Sequence, residues 1–317
     1  MSRKKIILDC DPGMDDSMAI VMAAKSPALE LLAVTTVNGN YPVDVTCVNA
    51  RKVLELLGRE DIPVARGMAH PLVRKSPSDP FTHGGDGQAE NFLPEPQMPL
   101  APVHAADLII DTVKANPGEV HILCTGPLSN LALAITKAPE IKKMIASVIA
   151  ISGAFGLNEY SFLNATGDTP QSEWNVYVDP EAADMVYSSG INFTALGLDV
   201  ATHFSVNFSD DDIRLFAESD RPEAKFLHKA INFVANRGFE AYCTIIDCMA
   251  VGYAIDPSLV KTRAYHVGVE TKDGLTLGMT VRDGRHHHVW EHLPMVQVGV
   301  EADHGRFLAL LRDIVLS

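Results

Sequence analysis

The sequence predicts an α/β fold: an open, mostly parallel sheet flanked by helices, in a single domain over residues 1–317. Three observations predict it. Apolar, β-branched runs of strand length alternate with stretches of helical periodicity. Glycine, asparagine or aspartate closes most of those runs, and no composition break, internal repeat or low-complexity tract divides the chain.

Taken in order, residues 6–8 (IIL) are the first strand candidate. Residues 17–25 (SMAIVMAAK) resume with helix formers after a turn at Pro12 and Gly13. Met18 and Met22 fall at helical spacing and belong to the core. Residues 31–37 (LLAVTTV) read as a second strand ending at Asn38-Gly39-Asn40, residues 43–57 as a helix stopped by Gly58, and residues 62–67 as a short strand. Residues 68–102 hold seven prolines and the run His83-Gly84-Gly85-Asp86-Gly87, so they form a long loop. Loops of that length are uncommon unless functional or disordered, which suggests a flap beside a site, with a plain surface insertion as the alternative. Residues 105–115 predict a helix, 120–124 a strand, 131–137 a helix after the turn 125–130, and 148–153 a strand. Residues 156–172 are irregular, 176–178 look strand-like, and Asp179-Pro180-Glu181 start a helix through Tyr187. A strand over 193–198 ends at Asp199, residues 210–255 are mainly helical, and 265–300 return to strand patterns before a helix over 304–315. Ligands in open α/β sheets bind in the crevice outside the strand carboxyl ends, so these turns face one place.

Composition narrows the function. Twenty-six basic against forty acidic residues give a net charge of −14, which disfavours nucleic acid and anionic membranes as partners. No apolar run reaches the ~18 residues of a membrane span. Only residues 6–8 follow Arg3, Lys4 and Lys5 before Asp9, so no signal peptide fits. The five cysteines are odd in number and lack a C-x-x-C pair, and they read as reduced thiols. The expectation is a soluble cytoplasmic protein.

The chemistry concentrates at Asp9, Asp11, Asp15 and Asp16, four carboxylates within eight residues at the end of a buried strand. Such groups repel one another and lose hydration, so a positive charge must sit among them. A helix N-terminus gives partial relief, too little for four acids. A hard divalent cation, Ca²⁺ or Mg²⁺, is the natural remedy; simple helix capping by Asp15 or Asp16 is the plainer alternative. Asp247 lies inside an apolar helical window, where it completes a metal site, pairs with an arginine or caps a helix. Asn40 ends the second strand beside the acidic loop, where a turn residue needing positive φ explains it. Glu173 and Asn175 share one strand face at i, i+2, with Trp174 pointing into the core, and could bond sugar hydroxyls or form an ordinary exposed edge. Thr125 offers a backbone carbonyl to a cation. His83 is a general acid or a solvated loop side chain, and His286, His287 and His288 read as surface loop.

The run Asp9-Cys10-Asp11-Pro12-Gly13-Met14-Asp15-Asp16 closely resembles the D-x-D-P-G-x-D-D signature of the inosine–uridine-preferring nucleoside hydrolases. Further blocks match in order: residues 37–40, Thr125-Gly126-Pro127-Leu128-Ser129-Asn130, Glu173-Trp174-Asn175, residues 179–183, residues 197–199, Asp247, residues 256–257 and residues 277–280. The resemblance implies a Rossmann-like core and hydrolysis of the N-glycosidic bond of ribonucleosides, releasing ribose and free base. It implies one Ca²⁺ held by Asp11, Asp16, Asp247 and the carbonyl of Thr125, with Asp15 as general base on a calcium-bound water and Asp9 behind the loop. It assigns Asn40, Glu173, Asn175 and Asp247 to the ribose hydroxyls, and implies a homo-oligomer, tetramer or dimer.

The departures fall elsewhere. Family members carry a histidine before the aspartate matched by Asp247, as proton donor to the leaving base; here that position is Ile246. A pocket methionine corresponds to Ile151, and an expected asparagine falls on Gly167, with Asn164 as its possible replacement. Candidates for a substitute proton donor are His83, Glu240 and Tyr242; the alternative is that no donor exists and the substrates have leaving groups that need little protonation. Two rivals stand beside this reading. An aspartate-nucleophile phosphohydrolase also uses D-x-D and a metal, but has a hydroxyl or branched residue where Gly13 stands. A nucleoside- or ribose-binding protein without turnover is favoured by the lost histidine and disfavoured by Asp15.

Overall fold

A computed structural model of the chain describes residues 3–317 except 78, 80 and 204. Among the described residues nine strands form one sheet: β1 (Lys4–Cys10), β2 (Leu29–Thr36), β3 (Val64–Arg66), β4 (Val120–Cys124), β5 (Ser147–Ile151), β6 (Phe193–Leu196), β7 (Val260–Val269), β8 (Thr280–Asp283) and β9 (Met295–Ala302). Their order is β3-β2-β1-β4-β5-β6-β9-β7-β8. All pairings from β3 through β9 are parallel, and β7 runs antiparallel to both β9 and β8.

The period of two along β1 explains the layering. Ile6 and Leu8 enter one core cluster, with side chains of the helices Met14–Lys25, Cys248–Ile255 and His304–Leu316. Ile7 enters a second, with Ala105–Ala115, Ser129–Lys137 and Pro180–Tyr187. All three are fully buried, each contributing about 2 kcal/mol to the core. Met18 and Met22 are buried as expected. Among the described residues no helix is long and apolar enough to cross a membrane. All five cysteines are free.

From β1 the chain moves outward to β2 and β3, then returns to place β4, β5 and β6 on the other side. The crevice at such a reversal opens at the carboxyl ends of β1 and β4, which are Cys10 and Cys124. The acidic run straddles that end: Asp9 is the next-to-last residue of β1 and Asp11 the first beyond it.

Two expectations fail locally. Residues 176–178 are not a strand: Trp174–Val178 is one helical turn. The Glu173 carboxylate accepts the N–H groups of Asn175 (2.7 Å) and Val176 (3.1 Å), and this cap overrides the strand preference of Val-Tyr-Val. Asp247 is not mid-helix either. It follows a 3₁₀ turn, Ala241–Thr244, and immediately precedes Cys248–Ile255.

Candidate active site

Asp11 leaves β1, Asp15 and Asp16 stand in the first turn of Met14–Lys25, and Asp247 arrives from the far end of the chain. One carboxylate oxygen from each of Asp15, Asp16 and Asp247 lies within 4.8 Å of the others, all three residues buried. Asp16 is tightly fixed. Its Oδ1 accepts from the Thr125 hydroxyl (2.8 Å) and Asp11 N–H (3.3 Å), and its Oδ2 from Gly13 N–H and Asn40 Nδ2 (both 3.2 Å). Asp11 Oδ2 accepts the backbone N–H of Asn40 at 2.6 Å. A Cβ on Gly39 would sit 1.9 Å from that oxygen, so glycine is required for the approach. Asn40 itself is not among the described residues with positive φ, which removes the turn-strain explanation for it.

Asp11 Oδ1 and Asp15 Oδ1 are buried with no hydrogen-bond partner. Burial, then repulsion from Asp16, pushes Asp15 up to about 8; burial likewise raises Asp11 and Asp247 well above the carboxylate range. Among the described residues lining the cleft none is lysine or arginine. Unpaired oxygens, raised acids and the absence of a fixed cation are what a hard divalent ion corrects, and the all-oxygen donor set fits one. The Thr125 carbonyl also faces this region, accepting Asn175 Nδ2 at 2.7 Å.

Asp9 lies behind the cluster, wholly buried. Its Oδ1 accepts from Thr35 Oγ1 (2.6 Å) and Asn130 Nδ2 (2.8 Å), and burial raises its pKa to about 7. Asn130 also donates to Thr36 O and accepts from Met68 N–H, tying β1, β2 and the long loop together. Sequence reasoning gave Asn130 no role; its place at the end of Thr125-Gly126-Pro127-Leu128-Ser129-Asn130 was the available signal.

Glu173 and Asn175 both line the cleft, brought there by the helical turn rather than by a shared strand face. Trp174 is half-buried and lines the cleft as well, not the core, because a helical backbone does not alternate its side chains. Burial pushes Glu173 up to about 7, against three N–H donors that pull it down.

The remaining wall of this ~440 Å³ cleft is different in kind. Ile151, Ile246, Leu198, Leu163 and Phe239 contribute apolar surface, with Tyr242 and Cys243 beside them. His83 joins them from the long loop, buried, its Nδ1 accepting the Met14 N–H at 3.3 Å and standing 3.8 Å from Asp15 Oδ1. With Nδ1 as acceptor, a neutral ring carries its hydrogen on Nε2. Burial pushes the His83 pKa down to about 4, so its approach to Asp15 is not an ion pair at neutral pH. Asn164 reaches the cleft, but its amide donates to Thr202 O at 2.7 Å and is committed to the wall. Glu240 is not a cleft residue: it is exposed and accepts from Asn207 Nδ2 at 3.2 Å. His286, His287 and His288 are exposed in the loop after β8.

The fold and site define an α/β protein with a buried carboxylate cluster at the switch point of a parallel sheet, beside a ~440 Å³ cleft. Residues 6–309 match the profile of the inosine-uridine preferring nucleoside hydrolases, and the chain belongs to that family. Pyrimidine-specific ribonucleoside hydrolase RihA of Citrobacter koseri is 36% identical over 314 residues, covering 97% of this chain and 96% of its own. Pyrimidine-specific ribonucleoside hydrolase RihB of Escherichia coli O157:H7 is 33% identical over 319 residues, covering 99% and 98%. Among solved structures, a plant nucleoside hydrolase, PpNRh1, matches with a TM-score of 0.88 at 31% identity over 100% of both chains. A purine-preferring ribonucleoside hydrolase from Gardnerella vaginalis matches at 0.85 and 29% identity over 98% of both. The chain is therefore an enzyme that hydrolyses N-glycosyl compounds, acting on small ribonucleosides.

Proposed function

We propose that this chain hydrolyses pyrimidine ribonucleosides to ribose and free base, using one calcium ion and Asp15 as general base. The observation that carries this is the pair of orphaned buried oxygens, Asp11 Oδ1 and Asp15 Oδ1, in a cleft with no lysine or arginine among the described residues that line it. Asp11, Asp16, Asp247 and the Thr125 carbonyl would hold the ion. When bound, calcium supplies positive charge that draws in the sugar hydroxyls and makes a water more acidic.

The chain's own groups do the rest. Asn40, Glu173, Asn175 and Asp247 hold the ribose hydroxyls, fixing the anomeric carbon against the attacking water. Asp15 takes the proton from that water as attack proceeds. As the bond to the base lengthens, the ribose gains oxocarbenium character, and the surrounding carboxylates stabilise it. His83 presents its neutral Nε2–H to the departing base, the part Ile246 cannot play. The pyrimidine preference rests on the names of the two curated relatives and on the small apolar wall around Ile151 and Ile246.

The test is a reducing-sugar assay over uridine, cytidine, inosine and p-nitrophenyl riboside, with added Ca²⁺ or a chelator. Calcium-dependent ribose release, fastest among the nucleosides on a pyrimidine riboside, is the expected result. Tight nucleoside binding without turnover, or phosphate release from phosphomonoesters in its place, contradicts it.

A further inference from the structure

Among the described residues four non-glycine positions have positive φ, and three of them stand in one loop: Ala89 (56°), Glu90 (56°) and Phe92 (52°). Left-handed backbone is disfavoured for residues carrying a Cβ and is rarely clustered. Something must hold it there. The Asp86 carboxylate does: its Oδ1 accepts the N–H groups of Gln88 (2.8 Å) and Glu90 (2.9 Å), and its Oδ2 that of Phe92 (2.8 Å). Converging backbone N–H groups of this kind form an anion nest, here filled by the loop's own side chain.

The wound loop reaches the active site on two sides. Ala89 N–H donates to the carbonyl of His83 at 2.8 Å. Asn49 Nδ2 bridges the Asp86 carbonyl (3.2 Å) to the Pro12 carbonyl (3.0 Å) in the acidic turn. Gln88 Nε2 donates to Ser17 Oγ at 3.0 Å, on the helix that carries Asp15 and Asp16. Ala89 also packs in one buried cluster with Met14, whose N–H meets His83.

We propose that Asp86 is a positioning residue, winding residues 86–92 into the left-handed form that seats His83 against Asp15. The inference rests on the reading of His83 as donor to the leaving base. Asp86 itself touches no substrate.

The test compares Asp86→Asn with the wild type on uridine and on p-nitrophenyl riboside, whose leaving group needs no proton, together with calcium affinity. Turnover of uridine should fall about a hundredfold, the scale of a small misplacement of a reacting group, while the other two readouts stay unchanged. A fall of all three together marks a merely structural role and overturns the proposal. Adding Glu90→Gly and Phe92→Gly to Asp86→Asn should restore uridine turnover, because glycine adopts positive φ without steric cost. Failure to restore it overturns the proposal as well. If Asp86→Asn does not fold, amide exchange on the wild type decides. Protection of Gln88, Glu90 and Phe92 amides supports the nest, and exchange at free-loop rates overturns it. A wild type that cleaves neither riboside removes the hydrolytic reading of the site, with the exchange result still deciding the nest.

Discussion

The floor and the far wall of the cleft are built on opposite terms. The floor is dense with polar groups bonded to one another: Asp16 alone accepts four hydrogen bonds, and Asp9, Thr35 and Asn130 brace it from below. The far wall is mostly hydrocarbon, with Ile151 and Ile246 in place of bonding groups and His83 supplied by a loop. The contrast fits the proposed roles: holding a cation and a sugar needs fixed geometry from several separate segments of the chain at once. In the proposed reaction, departure of the base draws on His83, a donor carried by a long loop rather than by the sheet.

The contrast breaks most severely at Asp15. Replacing it with asparagine should cost about 10²–10⁴ in turnover, the usual worth of a general base, while calcium still binds; kinetics with calorimetry read both. Turnover within a factor of a few of the wild type would remove the assignment. On the far wall, His83→Ala should lower uridine turnover about a hundredfold and leave p-nitrophenyl riboside nearly untouched. Equal losses on both substrates would place His83 with the floor instead.

A smaller effect tests the bracing. Asn40→Ala keeps the backbone N–H to Asp11 but loses the side-chain bonds to Asp11 O and Asp16 Oδ2. Calcium affinity should weaken about tenfold, as for other groups that orient metal ligands. The smallest effect is in pH. Without the ion, Asp15 is raised from 3.8 to about 8 in the folded chain. Across that window the folded state binds more protons than the unfolded, so its stability is greatest below the window and declines as pH rises. Melting temperature of the calcium-free protein should fall with rising pH, and added calcium should raise it most at the alkaline end, with proton release on binding. A calcium-free melting temperature that climbs with pH through this range contradicts the assignment.

The floor was legible in the sequence because its chemistry is local. Asp11, Asp15 and Asp16 lie within six residues, and clustered acids after a β-branched run imply both the strand end and the cation. Asp247 was legible as an anomaly, and its place before Cys248–Ile255 is the helix-cap position that stood among the alternatives. The wall was less so. Glu240 looked available beside Tyr242, yet the 3₁₀ turn Ala241–Thr244 leaves it outside the cleft, because backbone direction there depends on tertiary packing. The strand expected at residues 176–178 failed for a related reason. A capping carboxylate at Glu173 outweighs three residues of β propensity, and period-two reasoning cannot register a cap. The bonds of Asp86 could not be foreseen at all, since they depend on positive φ at residues that ordinarily avoid it.

The proposed roles come to one claim: the polar floor suffices for attack on the ribose, so departure of the base across the apolar wall limits the reaction. A series of ribosides graded by the basicity of the leaving group, from p-nitrophenol to uracil and beyond, measures this directly. The account predicts that log kcat falls steeply as the leaving group becomes more basic, with a shallower fall for groups that His83 Nε2–H can reach. A flat line across the series would contradict it, placing the slow step elsewhere or a strong acid in the wall.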